Sequence, residues 1–265
     1  NASANTGGVT ATINASTAAS HADLTTFTFS EGNDVVTLGN VAINKNINLG
    51  AGDDSITLAA GVTAITKAID GGTGIDTIVM TAAQAVTATA DDVFEGKISN
   101  FEKLSIGSTG TTATSINLAN LDDISYVISK GTGTTATLGL SKMANNGTLE
   151  LTGALLSAVN VTMANALGNT DTFNIVTKVD TLSDTTSVGA VVVAGVETIN
   201  INATDSSVDT VTLTNPSAVS KINLVAVDAT KIVVAGNHGV DFTGSTLTKV
   251  TTLDASGVVA TGATA

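Results

Sequence analysis

Apolar and small polar residues alternate over short runs through much of the chain, the period-two pattern of strands with one face buried. Val36 and Leu38 flank Thr37, Ile56 and Leu58 flank Thr57, and Ile78 and Met80 flank Val79. Each run follows an aspartate, and Asp34, Asp54 and Asp76 lie 20 and 22 residues apart. Between the runs, Val41, Ile43 and Ile47 match Val62, Ile65 and Ile69, with Lys45 and Lys67 at equivalent places. A repeat of this length that holds two strand-like halves suits one coil of a solenoid. The pattern therefore predicts an all-β, elongated parallel β-solenoid, of β-roll or β-helix type, with short connecting helical turns.

Three segments follow from this division. Residues 1–28 are a lead-in, either a strand or a flexible end; 29–80 are the repeated coils; 81–265 continue the solenoid. Within the last segment, Thr81–Ala85 and Asp91–Phe94 permit a short helix or a turn that acts as a connector. A second pattern then recurs at Phe101–Ile106, Val196–Ile201, Val219–Leu224 and Val250–Ala255, with apolar residues at the first, fourth and sixth places. It places Phe101, Leu104, Ile106, Ile199 and Ile201 in the core and Glu102 and Glu197 facing outward. Thr148–Thr152, Val159–Met163 and Thr172–Val176 are further alternating strands.

Composition narrows the function. The net charge is −13, all ten basic residues are lysines, and there is no arginine. Nucleic acid is excluded as a partner, because tracking phosphates needs clustered positive charge. Cysteine is absent, so neither disulfides nor thiolate metal sites staple the fold. No apolar run approaches the roughly 20 residues of a membrane span. The chain starts at Asn1 without Met and carries no export signal at either end. It reads as a piece of a longer secreted protein.

The candidate chemistry lies in the Asp-bearing turns. Gly71-Gly72-Thr73-Gly74-Ile75-Asp76-Thr77-Ile78-Val79 spells the calcium nonapeptide G-G-x-G-x-D-x-U-x, where U is a large apolar residue. Glycines allow a tight turn that aims carbonyls inward, the aspartate supplies an anionic oxygen, and calcium accepts six to eight oxygen ligands. Leu49–Thr57 matches except at its first glycine, and Phe29–Thr37 keeps Gly32, Asp34 and Val36. The candidate calcium ligands are therefore Glu31, Gly32, Asn33, Asp34, Gly50, Gly52, Asp53, Asp54, Gly72, Gly74 and Asp76. Calcium-free turns are the alternative. Gly168–Phe173 and Gly239–Asp241 echo the motif weakly and read as ordinary Asp/Asn turns.

These nonapeptides resemble the repeat-in-toxin (RTX) proteins exported by type I secretion. Together with Ile98–Ile106 and Gly195–Ile201, they look most like Gram-negative surface-layer (S-layer) proteins of the Caulobacter type. The resemblance implies calcium between solenoid turns and self-assembly into an extracellular lattice on the cell surface. Cell-surface polysaccharide is a possible partner through another part of the chain. A module of a large secreted RTX adhesin is the second reading.

A calcium-dependent carbohydrate-active enzyme is the third reading, and the residues give it little. His21 and His238 have no nucleophile or carboxylate at a recognisable spacing, and no G-x-S-x-G elbow occurs. The pairs Asp53-Asp54, Asp91-Asp92 and Asp122-Asp123 are adjacent, and neighbours on a strand point to opposite faces. A glycosidase pair must converge on one bond. The expectation is a structural protein and not an enzyme.

Overall fold

The computed structural model describes residues 6–13, 24–39, 43–59, 65–122, 124–179, 186–205, 219–237 and 239–259. His21, Val41, Val62, Asp123 and His238 lie outside the described residues. The protein is a parallel β-solenoid, as the repeat spacing predicts. It divides into two compact units, Asn1–Gly107 with Ile116–Val127, and Ser108–Ser115 with Ile128–Ala265.

The first unit contains β1 (Thr10–Ile13), β2 (Thr26–Thr28), β3 (Val35–Leu38), β4 (Asn46–Asn48), β5 (Ser55–Leu58), β6 (Ile69–Asp70), β7 (Thr77–Met80), helix α1 (Ala82–Ala88), β8 (Ile98–Ser99) and β9 (Lys103–Ile106). One wall runs β1-β3-β5-β7-β9 and the other β2-β4-β6-β8, so the chain alternates between walls. Equivalent residues stack: Val36 pairs with Ile56, Ile56 with Ile78, and Ile78 with Leu104. All four are fully buried. On the facing wall Ile47 pairs with Ile69 and Ile69 with Ile98, while Ile43 bridges Ile65. Burying each such side chain contributes about 1.5–3 kcal/mol, which pins the register because a one-residue slip would turn the row outward.

The connector after β7 is a helix. Thr81 caps it by accepting the Gln84 N–H, and Gln84 Oε1 accepts the Thr81 N–H in return. Ala82, Ala85 and Ala88 form its buried stripe, and Gln84 Nε2 donates to the Leu58 carbonyl at 2.7 Å. The small side chains let the helix lie close to the coil.

Two strands, β10 (Thr114–Asn117) and β11 (Tyr126–Ser129), span the unit boundaries. The second unit continues with β12 (Leu138–Met143), β13 (Thr148–Leu151), β14 (Val159–Met163), β15 (Thr172–Val179), β16 (Thr186–Ala194), β17 (Thr198–Asp205), β18 (Val219–Val225), β19 (Lys231–Gly236), β20 (Gly239–Asp241) and β21 (Thr252–Val258). Its walls run β13-β15-β17-β19-β21 and β12-β14-β16-β18-β20. Phe173, Ile199 and Ile232 form one buried row, and Ile175, Ile201 and Val234 another. Outside, Asn200 Nδ2 donates to Asn174 Oδ1 at 2.9 Å, an amide ladder that ties neighbouring coils.

The second pattern holds at every described side chain of three copies and fails in the fourth. Phe101, Leu104, Ile106, Val196, Ile199, Ile201, Ile222 and Leu224 are buried. Leu253 is 59% exposed, and Ala255 is exposed too. β21 is the last strand of its wall, paired with β19 on one edge, and among the described residues no further strand stacks on the other.

Candidate metal centre in the aspartate turns

The turns before β5 and β7 are built on glycine for a steric reason. Gly50 and Gly72 have φ of +111° and +103°, and Thr73 N–H donates to the Gly50 carbonyl at 3.0 Å. A Cβ on Gly72 would sit 1.9 Å from that carbonyl oxygen. The stacked turns therefore close on each other only without side chains at these places. Ala51 bridges Thr73 between them, and Gly52 N–H donates to the Thr73 carbonyl.

This stacking brings acids into a column. The Asp34 N–H donates to Asp54 Oδ1 at 2.7 Å, the Asp54 N–H to Asp76 Oδ1 at 2.8 Å, and the Asp76 N–H to Glu102 Oε2 at 2.7 Å. Asp34, Asp54 and Asp76 are all buried. At the head of the column, the Asp34 carboxylate accepts from Val9 N–H, Ser30 N–H and the Ser30 hydroxyl. Three donors satisfy it. Asp54 and Asp76 are different, because Oδ2 of each is enclosed and has no hydrogen-bond donor among the described residues.

A second, outer column runs the opposite way. Asn33 Oδ1 accepts the Asp53 N–H and Asp53 Oδ1 accepts the Ile75 N–H, both at 2.9 Å. The adjacent Asp53 and Asp54 thus separate, one exposed and one buried. Glu31 is exposed and takes no part in either column.

Burial and like charge make the inner column costly when it is empty. Burial pushes the Asp54 and Asp76 carboxyls up to about 6, and neighbouring Asp34, Asp53, Asp54 and Glu102 charges add to that effect. Stacked backbone N–H groups oppose it by favouring the charged forms.

The donor chemistry fits a hard cation. Every candidate ligand is an oxygen, from a carboxylate, the Asn33 amide or the main chain, and two enclosed carboxylate oxygens lack partners among the described residues. Among the described residues no three Asp, Glu, His or Cys side chains converge as a group able to hold an ion. Any ion here draws part of its shell from the main chain of the glycine turns.

Two features escape the sequence reading. Glu102 is exposed as expected, yet its carboxylate folds back to extend the inner column. In the second unit, Asp171 is not an ordinary turn aspartate. Its N–H donates to Glu197 Oε2 at 2.9 Å, as Asp76 does to Glu102. Asp241 does behave as the turn reading predicts, accepting the Thr243 N–H and hydroxyl. The signal for Glu102 and Glu197 is visible in retrospect. Asp76-Thr77-Ile78 and Glu102-Lys103-Leu104, like Asp171-Thr172-Phe173 and Glu197-Thr198-Ile199, share an acid two places before the first buried side chain.

No family model matches the chain, and no curated protein matches its sequence.

Proposed function

We propose that the inner column of the first unit takes up calcium between its coils, and that the chain is a structural building block of an extracellular protein layer. The observation that carries the calcium reading is the pair of enclosed, donorless oxygens on Asp54 and Asp76 in stacked glycine turns. Bound calcium supplies the positive charge that this column lacks. The ligand set comprises Asp54 and Asp76 with main-chain oxygens of the Gly50–Asp54 and Gly72–Asp76 turns, while Asp34 is already satisfied by protein donors. Glu102 holds Asp76 from the next coil.

The layer itself rests on the resemblance to RTX-type surface-layer proteins in the nonapeptides and the recurring strand motif. Secretion, self-assembly and an attachment to surface polysaccharide through another part of the chain belong to the same reading. Its test is particle size and electron microscopy of the purified protein, with calcium and with chelator. Ordered sheets with calcium alone support it. Monomeric particles in both conditions contradict assembly through this chain, and binding to whole cells or glycans without arrays favours an adhesin module.

A further inference from the structure

We propose that Asp171 and Glu197, with the turn that precedes Asp171, form a second divalent-cation site in the second unit. Asp171 is 8% exposed, and its carboxylate accepts no hydrogen bond among the described residues. Oδ2 is wholly enclosed. That oxygen therefore has neither water nor a donor, the condition in which a buried polar atom calls for a partner, while Oδ1 remains open to solvent.

The surroundings favour the cation. The ion pairs among the described residues are Lys178 with Glu150 and Lys249 with Asp228, and none of them is made by Asp171 or Glu197, although the Lys249 charge is felt at Glu197. The Asp171 main chain is committed: its N–H donates to Glu197 Oε2, and its carbonyl accepts from Glu197 and Thr198. These bonds fix both acids on neighbouring coils, with one carboxylate laid against the backbone of the other residue. Gly168 completes the cradle, because a Cβ there would come within 3.0 Å of Asp171 Oδ2. The preceding turn, 164–170, is exposed, which leaves a path for an ion from solvent. Oxygen-only donors select calcium or a similar hard cation over softer metals.

The main-chain arrangement matches that of Asp76 and Glu102, since Asp76 also donates its N–H to the glutamate and its carbonyl accepts from the Glu102 and Lys103 N–H groups. Asp76 likewise has an enclosed, donorless Oδ2 close to a glycine, Gly71. The proposal does not depend on calcium in the first unit, because the residues are separate.

Two measurements test it on the full chain. Calcium titration calorimetry of the Asp54→Asn/Asp76→Asn variant should still show one bound ion, which the added substitution Asp171→Asn abolishes. Glu197→Gln should lower the affinity roughly tenfold or more. Manganese added to the unsubstituted, isotope-labelled chain should broaden the amide signals of 168–172 and Glu197 in NMR spectra, a readout that needs no variant to fold. Broadening there with none near Asp54 and Asp76 supports this site and sinks the first-unit reading. Broadening confined to the first unit, or a parent-like stoichiometry in Asp171→Asn, overturns this proposal and leaves the other standing.

Discussion

The N–H of Asp54 donates to Oδ1 of Asp76 on the next coil, 22 residues later, while Oδ2 of Asp76 stays buried without a donor. One side-chain oxygen stitches the coils together and the other remains available. The same residue thus serves the solenoid's register and, in the proposed function, its metal.

Replacing Asp54 or Asp76 with Asn should reduce calcium stoichiometry or affinity in calorimetry, because each variant removes an anionic oxygen but keeps an acceptor for the stacked N–H. In chelator, the same variants should be at least as stable as the parent, since like charges in the column are relieved. Unchanged calcium binding in both variants would remove these residues from the site.

Stability without calcium should depend on pH in a defined direction. Folding raises both carboxyls from 3.8 to about 6, so in that range the folded chain binds more protons than the unfolded one. Their favourable contribution is complete below about 3.8 and is lost as pH rises through about 6. Calcium affinity runs the other way, weakening as pH falls below about 6, where protons compete for the same oxygens. Urea melts at pH 5 and 7 in chelator, paired with calcium titrations, check both signs.

Glu102→Gln should lower the pH at which Asp76 titrates, because the Glu102 charge helps to hold that carboxyl high while Gln preserves an acceptor for the Asp76 N–H. Carboxyl NMR titration reads the change. No movement would mean that Glu102 lies farther from the column than its 2.7 Å bond implies.

Two core comparisons test the rungs. Leu104→Ala should cost about 2–5 kcal/mol in urea unfolding, whereas Leu253→Ala should stay within about 0.5 kcal/mol because Leu253 is exposed. Gly72→Ala should destabilise by about 1–3 kcal/mol from its positive φ alone, before the clash with the Gly50 carbonyl is added.

Much of the fold was legible because solenoid coils repeat both an acid and a two-residue apolar alternation. The register of 34, 54 and 76 follows from spacing, and so do the Ile43–Ile65 and Ile47–Ile69 pairs. What alternation reports is the face on which a side chain lies, not whether its strand stands at the end of the stack as β21 does, so Leu253 looked buried and is not. Glu102 and Glu197 were aligned by the apolar residues around them and hence placed outward. Their extra methylene lets the carboxylate reach back to the stacked N–H where Asp stands one coil earlier. The donorless oxygens were illegible for another reason: hydrogen-bond satisfaction belongs to the packed turn, and Asp34 and Asp76 look equivalent in sequence while only the former is saturated.

The central claim is that calcium stabilises the folded coils through the aspartate turns. Its most direct test is thermal unfolding in calcium, in magnesium and in chelator, at matched ionic strength so that general screening is constant. A ligand bound only to the folded form at a hundredfold excess over Kd adds about 2.7 kcal/mol per site, so the account predicts a melting temperature higher by several degrees in calcium. Magnesium should do little, given its smaller, stricter octahedron and tightly held water. The same melting temperature in all three solutions would contradict the claim.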